Sequence, residues 1–214
     1  MLHAFALSAL IARCAPHVPP VTMAAIVAVE SGGDPLAIGD NTTRRSYNPS
    51  DRATAEALAR RLIATGHSVD LGIAQINDAN LAHLALSLHT VFDACANLSA
   101  GAEILAHDYA IATRRFGPGQ AALRHAIGMY NAGSLDEGAS YVRRVMLAAG
   151  MALSYGLDPR LIATREAMRS PFLVRAPITA WKSRHARRDI VTPPRAPILV
   201  RIARAPRMRV ADAP

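Results

Sequence analysis

Four residues constrain this chain more tightly than its composition does. Met23, Ile26, Val27 and Glu30 fall at i, i+3, i+4 and i+7, so a helix through them carries Glu30 on its apolar face. The residues between are only Ala and Val, and Gly32, Gly33 and Pro35 stop the helix just past Glu30. Thr22 is the expected N-cap, after the punctuated connector "CAPHVPP" (Cys14–Pro20). A helix of this kind has to be buried, and burial disfavours an ionised carboxylate and raises its pKa. The partial negative charge at the helix C-terminus pushes the same way. A carboxylic acid still protonated near neutral pH is what a general acid must be. The competing reading, that Glu30 simply reaches solvent at the helix end, is not excluded by position alone.

Helical period organises most of the first 150 residues. Helices are expected over Arg52–Ala64, Ala79–Leu86, Asn97–Phe116, Gln120–Tyr130 and Leu135–Ala149. The irregular region Asp34–Asn77, rich in turn formers at "GDNTTRRSYNPSD", has room for a small hairpin. The expected fold is therefore mainly α, an α+β arrangement with one small irregular or β region. No apolar run approaches the roughly 18 residues of a membrane span. The nearest, "AFALSALIA" (Ala4–Ala12), has no Lys or Arg ahead of it and no clear cleavage site before Cys14, so it reads as a short first helix and no export signal is evident.

The net charge of +8 belongs to one end of the chain. Residues 1–150 carry 11 Lys+Arg against 12 Asp+Glu, and residues 151–214 carry 13 against 4. The same stretch holds eight of the 14 prolines, which interrupt every candidate strand in it. It reads as a weakly ordered basic Pro/Arg-rich tail with short helices near Asp158–Arg169 and Ile178–Arg188, following a domain over residues 1–150. Such a tail suits an acidic partner. Tyr155, Phe172 and Trp181 are its only aromatics, too few for a base-stacking platform, so nucleic acid is not the expected ligand.

Two further segments add polar groups suited to sugar. In "DLGIAQIN" (Asp70–Asn77), Gln75 offers an amide between Ile73 and Ile76, and Gly72 permits close backbone approach. In "YNAG" (Tyr130–Gly133), Tyr130 supplies an aromatic face and Asn131 an amide at a helix end. Alone, each is equally a satisfied core strand or a helix stop. Cys14 and Cys95 have no metal-ligand spacing and leave open one disulfide or two separate thiols. The eight histidines are scattered, and there is no phosphate loop, His-Glu-x-x-His or nucleophile elbow, so no metal or cofactor is expected.

In that order, "ESGGDPLAIG", "DLGIAQIN", "FDACANLSAGAEIL" and "YNAG" resemble the lysozyme-like lytic transglycosylases, most closely the VirB1-type members that accompany type IV secretion and conjugation. The resemblance runs from about Cys14 to Ala149 and departs from the usual pattern at Met129 and Ile73-Ala74, all apolar changes. It implies that Glu30 is the catalytic acid. It further implies that Ser31, Gly72, Gln75, Ile76, Asn77, Tyr130 and Asn131 line or close a cleft for peptidoglycan glycan strands. Ser31 and Asn131 would orient Glu30 or a substrate acetamido group. Both cysteines lie in matching segments, which favours a Cys14–Cys95 disulfide and a periplasmic location.

The reaction so implied cleaves the β-1,4 bond between N-acetylmuramic acid and N-acetylglucosamine. Glu30 protonates the glycosidic oxygen, then as carboxylate takes the proton of the muramyl C6 hydroxyl while that oxygen closes a 1,6-anhydro ring. Two-carboxylate glycosidases need a second Asp or Glu. Asp34, Asp40 and Asp70 are available, none at a telling spacing, and the resemblance implies that none is needed. The rival expectations are a hydrolase on the same fold and a non-catalytic wall-binding or assembly factor.

Overall fold

The computed structural model describes residues 4–154. Helices α1 (Ala4–Cys14) and α2 (Pro20–Glu30) come first. The strands β1 (Ile38–Asp40) and β2 (Arg45–Tyr47), helix α3 (Arg52–Ala64), and the strands β3 (Val69–Leu71) and β4 (Ile76–Asn77) follow. A 3-10 turn (Asp78–Asn80) and a long connection lead to α4 (Ala94–Phe116), α5 (Gln120–Ala132) and α6 (Ala139–Ser154). This is the mainly α, lysozyme-like arrangement with a small β region that the sequence predicts. The basic tail and its two predicted short helices lie outside the described residues.

Helix α2 is the axis of the core. Residues Val21 to Val27 are all buried, with Met23, Ala25, Ile26 and Val27 wholly so. A helix apolar on nearly every side must be surrounded, and α1 and α6 pack along it. Its start differs from the predicted one. Pro20 opens the helix, where its missing N–H costs nothing, and Pro19 occupies the N-cap with no side-chain acceptor to offer; its carbonyl accepts from the N–H groups of Thr22 and Met23. Thr22 is instead buried one turn in, its hydroxyl without a hydrogen-bond partner. The predicted end holds: Glu30 is the last helical residue and the N–H of Ser31 donates to the Val27 carbonyl.

The irregular region holds more order than a hairpin. Its four strands form one antiparallel sheet in the order β2-β1-β3-β4, with Gly39 opposite Asp70 and Asp70 opposite Asn77. Ile38, Val69 and Leu71 point into the core, so the alternation of a strand sends Asp70 to the other face. The β1–β2 turn is built on buried Asp40, which accepts hydrogen bonds from the N–H groups of Thr42 and Thr43, the Thr43 hydroxyl and the His67 ring at 2.9 Å. Burial alone would raise the pKa of Asp40; these bonds outweigh it and hold the group below the usual carboxylate range.

Helix α3 matches its predicted bounds, capped by Asp51 accepting from the Thr54 N–H at 2.9 Å. The helix predicted over Ala79–Leu86 is absent. Asn77 caps only a single 3-10 turn, and Ala85 adopts a left-handed φ of 53°, which ends any continuation. Asp93 caps α4 three residues earlier than predicted. Helix α6 starts four residues later, because Gly138 (φ 84°) makes the turn into it. A Cβ on Gly138 would stand 2.6 Å from the Gly128 carbonyl oxygen, so glycine is what lets α5 and α6 meet there.

The disulfide left open by spacing is present: Cys14 and Cys95 are joined, tying the end of α1 to the first turn of α4 across 81 residues of chain. A closed loop of that length restricts the unfolded chain by about 4 kcal/mol in the chain-entropy description. Replacing both cysteines by serine should lower the thermal midpoint accordingly. Reducing agent should lower the wild-type midpoint and leave that of the double variant unchanged, read by circular dichroism melts.

Candidate active site

A turn between β3 and β4 brings the site together. Gly72 takes φ 78° and is packed so tightly that a Cβ there would lie 2.3 Å from the Asn97 amide nitrogen. Three helices then fix the turn by side-chain hydrogen bonds. The Ser31 hydroxyl at the end of α2 donates to the Ile73 carbonyl at 2.7 Å. The Tyr130 hydroxyl on α5 donates to the Ala74 carbonyl at 2.7 Å. Asn97 on α4, wholly buried, accepts from the Ala74 N–H at 2.7 Å and donates to the carbonyls of Leu71 and Val91 at 2.9 and 2.8 Å. Buried backbone groups that the sheet leaves unpaired are thus satisfied, and the turn becomes a rigid floor.

Gln75 closes the turn at a left-handed φ of 51°. Its amide nitrogen donates to the carbonyls of Ala37 and Gly72 at 3.1 and 2.8 Å, so both of its donors are committed and its oxygen is left as an acceptor. Around it opens a cleft of about 410 Å³ including the solvent at its mouth, lined by Glu30, Asp70, Gln75, Asn77, Asn80, Ile104, Tyr130 and Asn131. Amides and carboxylates dominate this lining, with Ile104 and the Tyr130 ring as apolar patches. Such a surface meets the hydroxyls and the flat faces of sugar rings.

Glu30 lies in this cleft, partly buried. Desolvation above all, and then the charge of Asp70, raise its pKa, which stands at about 7. Two groups oppose this: the Tyr141 hydroxyl, which donates a hydrogen bond to Glu30 Oε1, and the more distant Arg144. Tyr141 is itself buried, on α6, where the packing of α6 along α2 presents it to Glu30. A carboxyl with these surroundings changes its protonation state near neutrality and can both give and take a proton. No group of His, Cys, Asp and Glu among the described residues has the arrangement of a metal site.

The family model of the Transglycosylase SLT domain matches residues 8–143, more than half of the chain and all of the elements that build this cleft. The chain belongs to the SLT transglycosylase family. It is 40% identical over 149 residues to a VirB1 protein of Rhizobium radiobacter, an alignment covering 69% of this chain and 62% of that protein. To the type IV secretion system protein VirB1 of Brucella abortus it is 41% identical over 145 residues, covering 64% of this chain and 61% of the relative. The chain therefore spans about three fifths of the length of these curated relatives. No solved structure matches it. The family named from the sequence motifs is borne out.

The SLT domain distributes its predicted site residues between two places. Glu30, Gln75, Asn77, Tyr130 and Asn131 line the cleft. Ser31, Gly72 and Ile76 do not: Ile76 is wholly buried in the core, and Gly72 and the Ser31 hydroxyl shape and hold the turn. The Ser31 hydroxyl, expected to orient Glu30 or a substrate acetamido group, donates to the Ile73 carbonyl. Asn77 is likewise engaged from within, donating to Ser68 and to Asp70 at 2.8 Å. Tyr141, Asn97, Asn80 and Ile104 were not singled out from sequence. Asn97 and Ile104 lie inside the matching segment "FDACANLSAGAEIL"; Tyr141 follows the last matching motif and carries no local signal.

Removing the Tyr141 hydroxyl takes away a bond that favours ionised Glu30. Tyr141→Phe should therefore raise the Glu30 pKa above about 7, shifting its carboxyl titration to higher pH in 13C NMR of the folded protein. Glu30→Gln should stabilise the fold by about 1–3 kcal/mol at pH 8, where the native carboxylate is ionised at a cost. The sign follows from the raised native pKa: the cost grows as pH rises from the unfolded value of 4.5 through about 7. At pH 4 the two proteins should melt together.

Proposed function

We propose that this chain is a peptidoglycan lytic transglycosylase that opens the cell wall for a type IV secretion or conjugation apparatus. The observation that carries the reading is Glu30, a carboxyl near neutrality in a cleft lined by amides, on the scaffold of a family named for transglycosylases. Glu30 as acid protonates the oxygen between N-acetylmuramic acid and N-acetylglucosamine. The C1–O bond breaks and the leaving sugar keeps that proton on its 4-hydroxyl. The muramyl C6 oxygen then bonds to C1, its proton passes to the Glu30 carboxylate, and no water is consumed. Burial serves both halves, because an acid near neutrality gives and recovers a proton at similar cost. Gln75 as an acceptor, Asn131 as a cleft amide, and Tyr130 as an apolar wall would hold the glycan across Glu30.

This reading divides the chain into a catalytic domain over residues 1–150 and an auxiliary basic tail over 151–214. The periplasm is its site of action. The Cys14–Cys95 disulfide supports an oxidising compartment. No helix among the described residues is long and apolar enough to cross a membrane.

Mass spectrometry of the products from purified peptidoglycan tests the reading, with Glu30→Gln alongside. Glu30-dependent 1,6-anhydro-muropeptides are expected, with the variant at least about 1000-fold slower. Reducing-end products would instead identify a hydrolase on the same scaffold. Binding to wall without any cleavage would make the chain a wall-binding factor.

A further inference from the structure

The lining of the cleft is acidic: among the described residues it holds the carboxyls of Glu30 and Asp70 and no Lys, Arg or His. The proposed substrate is acidic too. Each muramyl unit of peptidoglycan carries a 3-lactyl group that ends either in a free carboxylate or in a short peptide with carboxylates of its own. Like charges brought together at a binding surface repel unless a cation stands beside them. The structure supplies one at the acid end of the cleft.

Arg144 lies on α6 three residues beyond Tyr141, so the two share a face of that helix. Its guanidinium carbon stands 5.6 Å from the centre of the Tyr141 ring, and the Tyr141 hydroxyl donates to Glu30 Oε1. The cation is thus one aromatic ring away from the acid, near enough for its charge to act on Glu30. It forms no ion pair with Glu30 or with any other described residue. Tyr141 is buried, whereas Arg144 is exposed. The ring face holds a guanidinium in place by cation–π attraction and leaves its fork of N–H donors open to an anion. Part of the ordering that binding an anion requires is therefore already met in the free protein.

We propose that Arg144 binds the carboxylate borne by the lactyl substituent of a muramyl unit seated beside Glu30, either the free lactyl carboxylate or one on the attached peptide. The inference deepens the glycan-cleaving reading of the cleft and rests on it. The group bound lies off the sugar ring and takes no part in bond breaking, so the contact is the same before and during the reaction. Arg144 is therefore a binding residue, felt in KM and not in kcat. Arg143, next to it on α6, is also exposed but has no such ring contact.

Steady-state cleavage of solubilised peptidoglycan by the full chain tests the proposal, with each protein at its own pH optimum. Arg144→Gln, a change at an exposed position, should melt with the wild type. It should raise KM about tenfold with kcat within about threefold, and Arg144→Lys should recover part of the loss. Arg143→Gln should match the wild type. On peptidoglycan whose carboxylates have been converted to amides, wild type and Arg144→Gln should become indistinguishable. A cation that only tuned Glu30 would alter kcat and act alike on both substrates, and that result overturns the proposal. So does an equal loss in Arg143→Gln. Strands stripped of peptide by an amidase, which end in free lactyl carboxylates, separate the two sources. A loss kept on them assigns the lactyl carboxylate, a loss abolished assigns the peptide, and either supports the proposal. A wild type that cleaves no peptidoglycan overturns the underlying reading and the proposal with it. An active wild type beside an Arg144→Gln with KM within about threefold overturns only the role of Arg144.

Discussion

Everything in the cleft depends on how the turn from Gly72 to Gln75 is held. A turn with two left-handed residues, Gly72 and Gln75, leaves backbone groups that no strand can satisfy. Ser31, Asn97 and Tyr130 satisfy them from three different helices, so the sheet and the helical core are joined by polar bonds as well as by packing. The cost of burying three polar side chains is offset because each finds a partner. Their geometry then fixes where the Gln75 oxygen and the Asp70 carboxylate stand relative to Glu30. A motif that reads as a set of ligands is, in this fold, largely a set of fasteners.

The electrostatics follow from the same compactness. Two carboxylates share a half-buried cleft, and the nearest opposing positive charge on Glu30 is the exposed Arg144. In such a place charge is governed by hydrogen bonds and not by ion pairs. Tyr141 moderates Glu30, and Asn41 with Asn77 moderates Asp70. Neutral donors can tune a carboxylate without cancelling it, whereas an adjacent Arg or Lys would hold it permanently ionised and useless as an acid.

Much of this was legible in the chain, for physical reasons that differ from part to part. The end of α2 at Glu30 was readable because Gly32 and Gly33 are unambiguous stops, and α3 because its period is clean and Asp51 and Gly66 bracket it. The sheet was not, since strands of two or three residues are too short to show an alternation, and the Asn, Thr and Arg residues between β1 and β2 read only as a turn; Asp40 and Asn41 organise this region through side-chain bonds that have no sequence period. The start of α2 differs from the sequence expectation because Thr22 has the chemistry of a cap, while the Pro19-Pro20 pair opens the helix. In the site, residue identities were readable and their duties were not. Ser31 and Asn77 have donors suited to a sugar, and only the fold reveals that those donors are already spent.

Tyr141 stands 111 residues beyond the carboxyl it touches, on the last described helix. When the chain emerges from the ribosome, Glu30, the Gly72 turn and the Tyr130 segment are all out before that helix exists. A fragment ending at Gly133 would contain every recognisable motif and still lack the group that moderates its acid. The order of synthesis therefore keeps the surroundings of the Glu30 carboxyl incomplete until nearly the whole domain has been made.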